Sequence, residues 1–327
     1  MKTWLTENFN IKYPIIQAPM FLVSNTSMLI EAIHSGIMGC VPALNYRTTE
    51  ELRSALTEIK ETGGSFGVNL IVNKSNVKLD EQIKICLDLE PDFIITSLGG
   101  PKLVIDKFKD KKTKIFCDVT DLKYALKVEE IGADAIIAVN SGAGGHAGPM
   151  APSVLIPMLK KHCKLPIISA GGVGNSEGLL SVLALGAEGV SIGSPYIATK
   201  EASVSEEYKQ AIVDYGANDI VLTTKISGTP CTVIKTPYVE KIGTEQNFIE
   251  SFLNNNKSVK KYVKMLTYYK GMKALESAAF GATYKSVWCA GPSIEFTDKI
   301  SSVREVTEKI VSGIGKSYET LGQVIKD

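Results

Sequence analysis

Residues 166–194 read PIISAGGVGNSEGLLSVLALGAEGVSIGS, one complete strand–helix–strand unit. Pro166–Ala170 is a short apolar run that ends in Gly171-Gly172-Val173-Gly174. Glu177–Leu185 follows with helical spacing, and Gly186-Ala187 stands where a helix C-terminus takes its cap. Gly189–Ile192 is a second apolar run, closed by Gly193-Ser194. Runs this short and continuously apolar suit parallel strands buried on both faces.

The same unit recurs toward the N-terminus. Strands are expected at Pro14–Pro19, Met38–Leu44, Phe66–Val72, Phe93–Ser97, Lys114–Val119 and Ala135–Val139, ahead of the two above. Helices are expected at Thr26–Ser35, Thr49–Glu61, Val77–Leu89, Lys102–Phe108, Leu122–Ile131 and Ser153–His162. Ser35-Gly36 and Ile131-Gly132-Ala133 repeat the helix-ending glycine. Eight such units predict an α/β fold, a (β/α)8 TIM barrel, with its site at the C-terminal ends of the strands.

The pattern changes near residue 200. Glu201–Tyr215 reads as a helix, Asp219–Val233 as irregular strand, and Glu245–Ala279 as a polar, Lys-rich helical stretch. Val303–Leu321 is amphipathic and suits the last barrel helix. The expected organisation is a barrel of residues 1–200 and 301–327, with 201–300 a mainly helical lid or insertion before that helix. The lysines between Lys257 and Lys273 read as a solvated helix face.

Composition narrows the function classes. The chain has 327 residues, 44% hydrophobic and 22% charged, with a formal net charge of +1. That charge gives no electrostatic case for nucleic acid or for an anionic membrane. No apolar run approaches the ~20 residues of a membrane span, and the start of the chain lacks a signal-type apolar core. A cytosolic location is expected. The six cysteines are scattered without a C-x-x-C pair, so neither a disulfide framework nor a metal site is expected.

Three constellations could carry chemistry. Ala170-Gly171-Gly172-Val173-Gly174 and Gly193-Ser194 follow adjacent strands, where barrels of this kind bind phosphate through backbone N–H groups. No G-x-G-x-x-G follows an early strand, so a Rossmann dinucleotide site is unsupported. Asn140-Ser141-Gly142-Ala143-Gly144-Gly145-His146-Ala147-Gly148-Pro149 surrounds one imidazole with glycines beyond a strand end. Its unperturbed pKa of ~6.5 suits proton abstraction. The other histidines, His34 and His162, lie at helix C-termini, where a cationic side chain suits the helix dipole. Finally, Gln17-Ala18-Pro19-Met20 and Asn69 end the first and third strands, and a buried carboxamide such as Asn69 needs partners.

As an ordered set these motifs resemble the nitronate monooxygenase family, formerly the 2-nitropropane dioxygenases. The matching stretches are Gln17–Met20, Phe66–Asn69, Ala143–Gly148, Ala170–Val173, Ala184–Ser194 and Trp288-Cys289-Ala290-Gly291-Pro292. The resemblance implies non-covalent FMN, with its ring against Ala18, Pro19 and Met20 and with Asn69 at the ring or ribityl chain. It implies phosphate contacts from Gly171, Gly172, Gly193 and Ser194, further contacts from Gly145 and Ala170, and His146 as base or substrate-orienting residue. Flavin-dependent enoyl-acyl-carrier-protein reductases and NADH:quinone reductases carry nearly the same motifs.

This chain departs from the family pattern at three places. Gly142 precedes Ala143 where Glu or Cys is frequent, and Ser194 stands where Thr is usual. Asp118 stands where a lysine is frequent, and reads either as a helix cap or as a residue unable to stabilise anionic flavin. The first expectation is oxidation of alkyl nitronates or nitroalkanes with molecular oxygen. The alternatives are an NAD(P)H-dependent reductase of quinones or enoyl thioesters, and a flavin-free barrel that binds a phosphorylated metabolite. Expected partners are a small-molecule substrate, NAD(P)H for a reductase, and a second copy in a homodimer.

Overall fold

The computed structural model describes residues 1–73, 75–225, 230–245 and 287–325. Eight parallel strands close into a barrel in sequence order. They are β1 (Ile15–Gln17), β2 (Met38–Pro42), β3 (Phe66–Ile71), β4 (Phe93–Ser97), β5 (Lys114–Val119), β6 (Ala135–Val139), β7 (Ile167–Ala170) and β8 (Gly189–Ile192). Closure comes from β1 pairing with β8, Ile16 opposite Ser191 and Gln17 opposite Ile192. The chain is therefore the TIM barrel that its repeated units predict.

Helices α2 (Thr26–His34), α3 (Thr49–Glu61), α4 (Leu79–Leu89), α5 (Lys102–Phe108), α6 (Leu122–Glu130), α7 (Pro152–His162) and α8 (Ser176–Ala184) alternate with the strands. One further helix, α1 (Trp4–Phe9), precedes β1 and has no counterpart in the sequence reading. Several helices start on capping side chains. Asn25 accepts from the Met28 N–H, Asn175 from Gly178 and Asp121 from Tyr124, each satisfying an N–H that the first turn leaves open.

Strand alternation sorts the apolar residues into two cores. Ile136, Ala138, Val68, Ile94 and Ile167 point outward against the helices. Ile16, Met38, Cys40, Phe93, Ile95, Phe116, Ile137 and Ile168 point inward and fill the barrel with Leu5 and Phe9 of α1. The Phe93 and Phe116 rings stack at 5.0 Å, and Phe9 meets both edge-on. Gly67 makes room for this layer, since a Cβ there would fall 2.4 Å from the Phe93 ring. Helix α1 thus plugs the N-terminal end of the barrel and leaves only the C-terminal end open.

After β8 come the short α9 (Ser194–Ile197), α10 (Glu206–Asp214), an antiparallel hairpin of β9 (Ile220–Thr223) and β10 (Cys231–Ile234), and α11 (Pro237–Ile242). The helix read over Glu201–Tyr215 is thus shorter, and the irregular strand is a hairpin. The stretch read as helical over Glu245–Ala279 lies almost wholly outside the described residues. The chain then returns as α12 (Val303–Ser312) and α13 (Ile314–Ile325), which divide the single helix expected there. Helix α12 packs against α2 and α8, where an eighth barrel helix belongs.

Candidate active site

The open end of the barrel holds a cavity of about 350 Å³, within the size range of small-molecule sites. Ala18, Pro19, Met20, Asn69, Gly145, His146, Ala170, Gly171, Gly172, Gly193 and Ser194 all line it. Every site residue expected from sequence therefore reaches the same space, although together they come from the C-terminal ends of five different strands and the loops that follow them.

Local hydrogen bonds explain why each strand end takes its shape. Beyond β1, the Ser24 hydroxyl accepts from the Met20 N–H at 3.0 Å and donates to the Ala18 carbonyl at 3.0 Å. Asn45 reinforces this turn by donating to the Met20 and Ser24 carbonyls at 3.1 and 2.8 Å and accepting from Leu22 N–H at 2.9 Å. Beyond β6, Asn140 accepts from the Gly142 N–H at 2.8 Å and donates to the Gly171 carbonyl at 3.0 Å. The Gly172 N–H donates to the Gly142 carbonyl at 2.9 Å. The loops after β6 and β7 are thus laid backbone to backbone. A Cβ on Gly142 would fall 2.7 Å from the Gly172 Cα, and one on Gly171 would fall 2.3 Å from the Ala143 nitrogen. Contacts between two backbones cannot be relieved by a rotamer change, which is why this clasp takes glycine on both sides.

The hairpin joins the site from outside the barrel. Thr232 and Gly145 exchange N–H···O bonds of 2.7 and 3.3 Å, and the Thr232 hydroxyl donates to the Ala143 carbonyl at 2.7 Å. Ile234 N–H donates to the Trp288 carbonyl at 2.9 Å, and Val233 pairs with Cys289. Tyr208 of α10 stacks on Trp288 at 5.6 Å and donates to the Cys289 carbonyl at 2.6 Å. Tyr208, Cys231, Val287 and Cys289 complete the cavity wall.

An imidazole and a carboxyl stand among the cavity-lining side chains. His146 lines the cavity and is exposed, yet burial by the protein packed around it holds its pKa below the usual imidazole value. It is therefore neutral near pH 7 and able to accept a proton. Asp118 is half-buried and lines the cavity. Burial pushes its carboxyl up to about 6, opposed by the hydrogen bond from Ser97. The Ser97 hydroxyl donates to Asp118 and accepts from the Asn69 amide at 2.7 Å, and that amide also donates to the Ile95 carbonyl at 3.1 Å. Asn69, Ser97 and Asp118 form one chain across β3, β4 and β5. This decides between the two readings of Asp118: the cap of α6 is Asp121, and Asp118 belongs to the cavity wall.

The wall fits a flat, phosphorylated group. Its apolar floor includes Ala18, Pro19, Ile95 and Ile137. Gly145 turns toward empty space, since a Cβ there would meet nothing within 4 Å. The buried Ser194 hydroxyl accepts from Gly291 N–H at 2.8 Å, which leaves its proton for a ligand oxygen. No lysine or arginine stands among the described lining residues, so backbone N–H groups and hydroxyls would have to meet an anionic ligand end. Gly172 shapes this cradle without donating to it, because its N–H is already spent on Gly142.

A family model described as nitronate monooxygenase matches residues 2–313. The chain belongs to the nitronate monooxygenase family. It is a flavin-dependent oxidoreductase of that type. A probable nitronate monooxygenase of Staphylococcus haemolyticus is 28% identical, over 72% of this chain and 79% of that protein. A (3aS,4S,5R,7aS)-5-hydroxy-7a-methyl-1-oxo-octahydro-1H-indene-4-carboxyl-CoA dehydrogenase of Rhodococcus jostii is 26% identical over 98% of both chains. Among solved structures, FabK from Thermotoga maritima superposes with a TM-score of 0.86 at 26% identity over 99% of both chains. A nitroalkane oxidase from Streptomyces ansochromogenes shares the fold, with a TM-score of 0.78 at 20% identity over 97% of this chain and 99% of that one. The similar proteins thus carry the names of both a probable nitronate monooxygenase and a dehydrogenase, so likeness alone does not single out one reaction.

Asn140 and Cys289 lie in stretches quoted from the sequence but have no role assigned there, and Ser97, Thr232, Tyr208 and Cys231 also shape this site. Asn140 had a legible signal, an amide between an apolar strand and a glycine loop. Ser97, Thr232, Tyr208 and Cys231 reach the site through partners far along the chain, and nothing in their own neighbourhood points to the cavity.

Proposed function

We propose that this chain is an FMN-dependent enzyme that oxidises alkyl nitronates with molecular oxygen. The observation that carries this reading is a single cavity, at the strand C-termini of a nitronate monooxygenase family barrel, that combines a glycine cradle with one imidazole. Gly171, Gly193 and Ser194 would hold the phosphate, with Gly172 and Ala170 shaping the cradle. Ala18, Pro19 and Met20 would back the ring, and Asn69 and Gly145 would border it. Bound FMN supplies the redox chemistry. His146 takes the α-proton when a neutral nitroalkane is offered and orients the substrate when the nitronate is offered. Of the 201–300 stretch, expected to be a lid, the described hairpin edge would support the His146 loop through the Thr232–Gly145 pairing.

One observation favours a second reading, an NAD(P)H-dependent reductase of quinones or enoyl thioesters. Asp118 puts a carboxyl in the wall with no lysine or arginine beside it among the described lining residues. When ionised it repels an anionic nitronate and leaves a neutral substrate unaffected. The relative named as an indene-carboxyl-CoA dehydrogenase, matched over 98% of both chains, supports the same reading.

Anaerobic mixing of the flavin-loaded chain separates the two. Rapid loss of flavin absorbance with an alkyl nitronate, and none over the same time with NADH or NADPH, is the expected result. The reverse pattern assigns the reductase. A preparation that stays colourless and takes up no FMN removes both readings.

A further inference from the structure

The cavity wall contains a pair of thiols that the proposed oxidation does not use. Cys231 lies on β10 and Cys289 on the segment paired with it, 58 positions apart in the chain, with their sulfurs 3.7 Å apart. Val233 is opposite Cys289 in an antiparallel bridge. Cys231, two residues before Val233, shares its face of the strand and is the diagonal neighbour of Cys289, close enough for side chains to meet. Both border the cavity. Cys231 is buried and Cys289 half-buried. The other four cysteines, Cys40, Cys86, Cys117 and Cys163, are buried, and none of them lines this cavity.

We propose that Cys231 and Cys289 form a dithiol–disulfide couple in the active-site wall, oxidised by hydrogen peroxide that enters the cavity. Cys289, the more accessible of the two, reacts first. Its sulfur gives up its proton and attacks one peroxide oxygen. The O–O bond breaks, one water leaves, and Cys289 becomes a sulfenic acid. The Cys231 sulfur then attacks the Cys289 sulfur, the S–O bond breaks, and the departing hydroxide takes the Cys231 proton as a second water. Two thiols and one peroxide become one disulfide and two waters. The contact with Cys289 and burial hold the Cys231 thiol protonated, which disfavours it as the group that first attacks peroxide; its proton leaves only in the second step, to the departing hydroxide.

The separation needs to shrink from 3.7 Å to roughly 2 Å. The bond would tie β10, and with it the Thr232–Gly145 pairing, to the 287–291 segment. The couple would add a covalent tie, when oxidised, to an edge that the Thr232–Gly145 and Val233–Cys289 pairings already hold when it is reduced. It requires no property of the flavin, so it stands or falls independently of the proposed reaction.

Peptide mass spectrometry of the full chain after peroxide treatment and thiol blocking tests it. Residues 226–235 and 286–299 are the tryptic peptides that carry Cys231 and Cys289. They are expected as one linked species, two hydrogens lighter than the separate pair and split by dithiothreitol. Trp288 adjoins Cys289 in sequence, so tryptophan emission should fall on oxidation and return on reduction. In Cys231→Ser, dimedone should trap a sulfenic acid at Cys289, because no resolving thiol remains. Both thiols still open to alkylation after peroxide, or both oxidised separately to sulfinic acids without a link, would overturn the proposal.

Discussion

Residue-scale chemistry at this site turns on two groups whose pKa values burial moves in opposite directions. His146 is held below its usual value, so its neutral form is present at pH 7 and is lost only on acidification. Turnover of a neutral nitroalkane should therefore fall as pH drops through a value under 6.5. His146→Asn should reduce that turnover by about 10²–10⁴-fold and nitronate turnover far less; equal losses on both substrates would remove its role as a base. Asp118 is shifted from 3.8 to about 6. A raised folded-state pKa means that its stabilising contribution is complete below pH 3.8 and is lost as pH rises through about 6. The full shift corresponds to roughly 3 kcal/mol, and water in the cavity reduces this to about 1–2 kcal/mol. Asp118→Asn keeps an oxygen for the Ser97 proton and removes the charge. Its melting temperature should match the parent near pH 4 and exceed it near pH 7. Thermal unfolding across that range measures the difference, and identical profiles would show that the carboxyl carries no such penalty. Asp118 also marks what local sequence leaves open. Asp118-Val119-Thr120-Asp121 offers two acids as caps for one helix, and only the placement of Asp121 at the helix start and of Ser97 on the neighbouring β4 separates them.

At the scale of elements, the glycine-rich strand ends were legible because each carries its reason locally. The turns after β6 and β7 approach so closely that a Cβ on Gly142 or Gly171 would strike backbone. The hairpin is a different case. Asp219–Val233 shows irregular strand character, but nothing in it says that Thr232 would pair with Gly145, 87 residues earlier. Thr232→Val removes the hydroxyl that the Ala143 and Gly145 carbonyls share. A buried hydrogen bond of this kind is worth about 1–2 kcal/mol. The variant should unfold at correspondingly lower denaturant and show faster amide exchange at Gly145. If the His146 loop depends on this support, KM should rise more than kcat falls. Unchanged exchange at Gly145 would mean that the barrel holds the loop without the hairpin.

The whole molecule is a barrel plugged at one end and open at the other, and the two ends answer to different residues. Phe9 closes the plugged end by packing on Phe93 and Phe116, away from the cavity. Phe9→Ala should cost about 3–5 kcal/mol, as deletion of a buried aromatic does, with KM unchanged for whichever substrate is turned over. Equilibrium unfolding together with steady-state kinetics tests that separation, and a changed KM would show that the two ends are coupled. Sequence alone determined the repeating units, the barrel, and the set of strand ends that face one cavity, because burial periodicity and turn glycines act over neighbouring residues. The tertiary structure alone decided that α1 is the plug, that Asp118 joins Asn69 through Ser97, and that Cys231 meets Cys289. Each of these depends on which distant segments the closed sheet and the returning chain bring within a few ångströms, and contact across that separation leaves no periodicity in the chain to read.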